Sequence, residues 1–246
     1  MFNHSSQELS ALCAQTLDLA KQGGATAAEV DLGEALGQSV NVRLGEIEQI
    51  EYQQDKSLDI TVYVGQRKGR ASTADFSAEA LADTVRAALD IARYTAEDEC
   101  AGLADANLMA NQFGDLDLFH EWDLPVEQAA EIAGRCERAA LESDQRITDS
   151  EGAGLQTGHY QSVYGNSHGF LQYHKSTRHS ISCSVVATSG DDMQRDYWYD
   201  VSCSANNLDS PELIGQTAGV RTVHRLDGRS IATGSYPVLF DAGVSG

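Results

Sequence analysis

Cations are scarce in this 246-residue sequence: 17 Lys and Arg stand against 37 Asp and Glu, a formal net charge of −20. Nucleic-acid affinity comes largely from Lys/Arg contacts that release counterions from phosphates, so no direct contact with DNA or RNA is expected. The same shortage disfavours docking on anionic lipid. No apolar run approaches the roughly 20 residues of a membrane-crossing helix. The start, Met1-Phe2-Asn3-His4, has its first cation only at Lys21, so it lacks the charged segment that opens a secretory signal. Cysteines are few, odd in number and scattered (Cys13, Cys100, Cys136, Cys183, Cys203), with no CxxC pair. That excludes a disulfide framework and suits reduced thiols in a cytoplasmic protein. Apolar residues at 41% and charged ones at 22% lie in the globular range, which argues against wholesale disorder. The length corresponds to one or two domains.

What is present is an internal duplication. Ser5-Ser6-Gln7-Glu8 reads as a capping box, followed by Leu9, Leu12, Cys13, Thr16, Leu19 and Ala20 at helical spacing, with a stop at Gly23-Gly24. Period-two segments follow: Val40 to Leu44, a turn at Gly45-Glu46, then Ile50 and Tyr52, then Leu58 to Val64. A turn over Gly65 to Gly69 leads into Arg70 to Thr73. Ser77 then caps a second helix with Leu81, Val85, Leu89 and Ala92 on one stripe. The order repeats from Asp123 and Pro125. A helix through Ala140 precedes strand-like segments at 146–151, 159–164, 181–187 and 197–203, and Ser210-Pro211-Glu212 starts a last helix. The pattern predicts an α+β fold of two helix–four-strand–helix repeats with antiparallel sheets. The repeats span 1–96 and 123–228, with a connector at 97–122. Tyr236 to Asp241 reads as one more apolar strand, whose mate is expected either in the existing sheets or in further sequence.

Several chemical signatures are incomplete. Gly165-Asn166-Ser167-His168-Gly169 matches G-x-S-x-G, and a serine hydrolase using Ser167, with Asp191 and His224 as partners, is the alternative function it raises. That chemistry needs a strand, a strained turn and a helix, whereas Phe170 to Ala187 has strand character, so a hairpin turn is the better reading. His159, His168, His174, His179 and Cys183 fall within 25 residues. On a strand, however, His179 and Cys183 are roughly 13 Å apart and His174 faces away from His179, a poor arrangement for one tetrahedral ion. His120-Glu121 does not continue into HExxH or HExxxH, since Leu124 and Pro125 occupy the relevant positions. Asp115-Leu116-Asp117 lacks a third oxygen ligand and the Gly of a calcium loop. Gly152-Ala153-Gly154 opens no helix and so no dinucleotide site. Tyr197-Trp198-Tyr199 reads as strand packing. No motif taken alone demands catalysis.

Taken in order, longer segments carry a resemblance. Leu58 to Tyr63, Arg67 to Asp75, Ala88 to Thr95, Asp115 to His120, Arg146 to Thr148, Tyr164 to Gly169 and Ser176 to Ser180 resemble the PmbA (TldE) branch of the TldD/PmbA metallopeptidase family, over essentially the whole chain. The resemblance implies a cytoplasmic system in which TldD-type and PmbA-type subunits pair and cleave unstructured peptides such as microcin precursors and antitoxins. The family label "modulator of DNA gyrase" requires no DNA contact. In the family the zinc motif HExxxH belongs to a C-terminal domain of the TldD-type subunit. The motif is absent here, so no catalytic or metal residue carries over, zinc is expected in the partner, and the resemblance makes residues 229–246 the expected start of a truncated C-terminal domain. The expected partners are a TldD-like subunit or a second copy, and an unfolded peptide. Tyr164, Asn166 and His168 in one of these segments, and Arg178 and His179 in another, are expected to face substrate or partner. A non-enzymatic peptide-binding scaffold is the remaining alternative.

Overall fold

A computed structural model describes residues 2–110 and 114–242 of the chain. Residues 111–113 of the expected connector and 243–246 of the expected terminal segment lie outside the described residues.

The first half runs α1 (Ser6–Gln22), β1 (Ala27–Arg43), β2 (Glu46–Val64), β3 (Arg67–Thr73) and α2 (Ala78–Tyr94). The second repeats it as α3 (Val126–Leu141), β4 (Ile147–Asn166), β5 (Leu171–Ser189), β6 (Asp192–Ser202) and α4 (Pro211–His224). Helix starts follow the local chemistry. Ser5 and Glu8 form a reciprocal capping box, while the Ser77 and Ser210 hydroxyls accept from the first-turn amides of Ala80 and Leu213, three residues on. The six strands form one antiparallel sheet in the order β3-β2-β1-β4-β5-β6.

The α+β class and antiparallel pairing agree with the expectation, but each half has three strands, not four, and both share one sheet. The expected segments 50–52 and 58–64 are parts of a single β2, and 146–151 and 159–164 are parts of a single β4. Polar stretches such as Gln53-Gln54-Asp55-Lys56-Ser57 resemble breaks in sequence. They remain strand because β1 supplies a continuous partner from Glu34 to Gly33 opposite Lys56 and Ser57 and beyond. Real turns fall where the left-handed backbone region is needed, at Leu44-Gly45 (φ 50° and 82°), Gly65 (φ 61°) and Gly190 (φ 59°). Residues 236–241, expected as a strand, have no strand partner among the described residues. Val238, Leu239 and Phe240 there are 71%, 96% and 72% exposed.

All inward apolar positions share one sheet face, and the four helices cover that face in two pairs. α1 and α2 close a core with Val30, Leu32, Leu58, Ile60 and Val62. α3 and α4 close a second core with Leu155, Ile181, Cys183 and Val185. The halves are interlocked: Val40 and Val42 of β1 belong to the second core, and Val163 of β4 to the first. Between the helix pairs lies a polar seam. Buried Glu34 there accepts hydrogen bonds from the Asn3 and His4 amides (3.1 and 3.3 Å) and from Gln161 Nε2 (2.9 Å), and its other oxygen lies 2.6 Å from His4 Nδ1. Burial raises the Glu34 carboxyl, but these hydrogen bonds together hold it below the ordinary value.

Candidate docking surface

Among the described residues no helix covers the opposite sheet face. Register places Gly33, Ala35 and Gly37 of β1 beside Ser162, Tyr160 and Gly158 of β4, all pointing to this open side. Gly33, Ala35 and Gly37 are half-buried, while the Tyr160 ring lies over buried Gly158, and polar groups border the stripe. At one end Glu29 accepts from Tyr164 Oη (3.0 Å) and Tyr63 Oη (3.3 Å). Burial, then the Glu29 charge, pushes the Tyr63 phenol up to about 12, and burial likewise raises Tyr164, so both stay protonated donors. Asp31 is raised by burial and then by Asp59, its cross-strand neighbour, which pairs with Arg70 at 2.8 Å. At the other end Tyr197 and Tyr199 of β6 stack with centroids 6.2 Å apart and are 57% and 45% exposed. Trp198 between them turns inward under the Arg221 guanidinium (4.8 Å), as strand packing requires.

The structure separates the residues expected to face substrate or partner. Tyr164 and Arg178 lie on the open face, with Arg178 exposed opposite Gly158. Asn166 is buried: its Oδ1 accepts from the His168 amide (3.0 Å), fixing the β4–β5 turn, at which His168 is exposed. His179 is a correction. Strand alternation turns it to the helix side next to outward Arg178, where it has no exposure and packs edge-on against Trp122 (5.4 Å). Its Nε2 donates to the His120 carbonyl (2.9 Å), which makes it a clamp on the connector. Ser167 does not sit in a nucleophile elbow. Its hydroxyl accepts from the Ala28 amide (3.1 Å) in a strand–turn–strand hairpin, and Asp191 and His224 lie beyond the far end of β5. Two thiols are held protonated: burial pushes Cys13 up to about 12, and a hydrogen bond with Cys136, then burial, raises Cys183.

Among the described residues no three His, Cys, Asp or Glu side chains converge to hold a metal ion. His159 and His179 approach with ring centroids at 6.4 Å, while His174 opposes Ser162 on the other face. These residues therefore do not fit a zinc site.

Sequence reasoning missed the feature that dominates the outline. β3 pairs only with Leu58–Val64, so the outer edge of Glu46–Ser57 has no strand beside it among the described residues, and every residue in that stretch is exposed. In the second half β6 pairs only with His179–Ser189, but there the connector fills the step. The Thr177 amide donates to the Leu118 carbonyl (2.8 Å), the His120 amide donates to Thr177 Oγ1 (2.9 Å), and Lys175 sits over the Phe119 ring (4.2 Å). The only sequence signal for the open edge was the alternation of Glu46, Glu48 and Glu51 with Ile47, Ile50 and Tyr52.

Comparison with known proteins accounts for this architecture. Residues 28–92 match the family description "PmbA/TldA metallopeptidase domain 1", and residues 119–226 match the "central domain" of the same family. The chain is 46% identical over 224 residues to Metalloprotease PmbA of Escherichia coli O157:H7, covering 91% of this chain and 50% of that protein. It is 44% identical over 234 residues to a Metalloprotease PmbA homolog of Haemophilus influenzae, covering 95% and 52%. It thus spans about half the length of these curated relatives. A crystal structure of a putative modulator of DNA gyrase from Bacteroides thetaiotaomicron superposes with TM-score 0.82 at 27% identity, over 92% of this chain and 52% of that one. TldE from Thermococcus kodakarensis shares the fold, with TM-score 0.64 at 16% identity, over 86% and 47%. The two interlocked helix–three-strand–helix units are those of the PmbA metallopeptidase family, to whose N-terminal region this chain belongs.

Proposed function

We propose that this chain is the PmbA/TldE-type, non-catalytic component of a TldD/PmbA-type peptidase that cleaves unstructured peptides in peptide maturation or antitoxin degradation. The observation that carries the reading is a helix-free, small-residue sheet face joined to an unpaired strand edge. Extended chains dock on such surfaces by main-chain hydrogen bonding. In this reading the chain forms a wall of the peptide chamber, and a TldD-like partner supplies zinc and the hydrolytic chemistry. The setting is cytoplasmic. No described helix is long and apolar enough to cross a membrane, and the acidic charge suits solubility and attraction of cationic peptides.

The test mixes the purified chain with a TldD-type partner and follows cleavage of an unfolded peptide. No cleavage by this chain alone, together with chelator-sensitive cleavage that rises when it joins the partner, is the expected outcome. Metal-dependent cleavage by this chain alone, or a partner indifferent to its presence, overturns the reading.

A further inference from the structure

The polar seam between the helix pairs opens at the bare edge of β2. Its mouth is a cavity of about 480 Å³. Sites that take small ligands span roughly 300–1,000 Å³. Register turns Tyr52 and Gln54 of β2, Gln38 of β1 and His159 of β4 to the helix side, where they form the floor from lip to inner end. The connector supplies the wall as Glu121, Trp122 and Asp123.

The chemistry of this mouth is one-sided. Glu121 and Asp123 are exposed, and neither has an ion pair or hydrogen bond among the described residues. No Lys or Arg lines the cavity. The lysines on the helix side of the flanking strands are drawn elsewhere, Lys56 over the Phe76 ring (5.0 Å) and Lys175 over Phe119 (4.2 Å). Trp122 and Tyr52 add two rings to the two carboxylates. Carboxylates beside aromatic rings hold a guanidinium well, through paired N–H···O bonds and attraction to the ring faces. Lysine, a point charge without that fork, fits less well. At the inner end His159 Nε2 is buried with no hydrogen-bond partner among the described residues, a polar atom that the chain itself leaves unsatisfied.

A strand laid along Glu46–Ser57 runs about 4.8 Å from β2. Its residue opposite Tyr52 turns its side chain to the helix side, over the mouth. The residue two positions away then meets exposed Ile50.

We infer that this mouth is an arginine subsite. It selects, among extended peptides on the β2 edge, those with an Arg at a helix-side position and an apolar residue two positions from it. The inference rests on the docking reading proposed above and adds the class of peptide that docks.

Fluorescence anisotropy on the full chain, with labelled twelve-residue Ser/Gly peptides, tests it. One peptide carries Ile and Arg two positions apart. A second replaces Arg with citrulline, which keeps the shape and removes the charge. The Arg peptide is expected to bind roughly tenfold tighter or more. Glu121→Gln/Asp123→Asn should reduce it to the citrulline affinity. Glu99→Gln/Glu131→Gln removes as much charge elsewhere and should preserve the preference, which separates the subsite from the general pull of a chain with net charge −20. All four positions are exposed, and matching thermal melts verify folding. Slower amide exchange at 50–56 with either peptide places it on the edge. Equal affinities on wild type, a preference that survives Glu121→Gln/Asp123→Asn, or one lost equally in the control variant overturns the subsite and leaves the docking edge standing. Failure of both peptides to bind, or to protect 50–56, overturns the docking edge and the subsite with it.

Discussion

The tip of the β1–β2 hairpin sits on α3, and the tip of the β4–β5 hairpin sits on α1, yet the two seats are built differently. In the first, buried Glu137 accepts from the Leu44 and Gly45 amides (2.8 and 2.9 Å) and from the Ser150 hydroxyl (2.6 Å). In the second, the position corresponding to Glu137 is Leu17. A Cβ placed on Gly165 would come within 2.7 Å of Cys13 Sγ and 3.2 Å of a Leu17 methyl. The same backbone exchange between halves is thus held by polar bonds on one side and by close apolar contact on the other. A polar seat is directional and fails when one partner is lost. An apolar seat degrades with volume. The halves also differ at their margins: the connector straps the step in β5, while the step in β2 stays open.

The largest effect should come from the polar seat. Glu137→Ala leaves the fully buried Ser150 hydroxyl and two amides without their acceptor, a loss of about 2–4 kcal/mol. For a chain of this size that lowers Tm by roughly 5–10 °C. Half-buried Leu17→Ala should cost less, about 1–2 kcal/mol. Thermal melts of the two variants give the ranking directly. If Leu17→Ala is as damaging as Glu137→Ala, the distinction between the seats collapses.

The strap gives a second contrast, one that depends on pH. Burial lowers the His179 pKa below its ordinary 6.5; the hydrogen bond to the His120 carbonyl opposes this in part, and the charges of His159 and His120 add to the lowering. The unfolded or released ring binds a proton that the packed ring refuses. The strapped state therefore loses stability as pH falls below about 6.5 towards the folded value. Protection of the amides of residues 118–122, corrected for the slower intrinsic exchange at lower pH, should fall progressively between pH 7 and pH 5.5. His179→Gln, which can still donate to the His120 carbonyl, should flatten that trend. An unchanged pH dependence in this variant would show that another group governs the strap.

Much of this was legible residue by residue. Ser5, Ser77 and Ser210 announced three helix starts through local capping chemistry, and the twofold repeat showed in the Leu9-Cys13-Thr16-Ala20 stripe and its counterpart Ala129-Ala133-Cys136-Ala140. Strand continuity was not legible. Gly33, Gly37 and 53–57 look like interruptions locally, and only a long partner across the ladder keeps them extended. The side of the sheet taken by His179 follows from alternation, but which side bears helices is decided by non-local packing. Glu137 was invisible for the same reason: a glutamate on a helix reads as solvated until a distant hairpin delivers two amides to it.

The smallest effect belongs to the motif that was most suggestive in sequence. At the β4–β5 tip the Asn166 amide donates to the Phe170 carbonyl (2.9 Å), Gly169 takes a φ of 90°, and the Ser167 amide donates to the Ala28 carbonyl (2.8 Å). Ser167→Ala keeps all of these and removes only the acceptor of the Ala28 amide. The expected cost is about 1 kcal/mol, a Tm shift of roughly 2–4 °C. It should leave ester and peptide hydrolysis by the chain, alone or with a TldD-type partner, unchanged. Hydrolysis abolished by this substitution in a variant that melts normally would make Ser167 a nucleophile after all, and the hairpin tip a site instead of a joint.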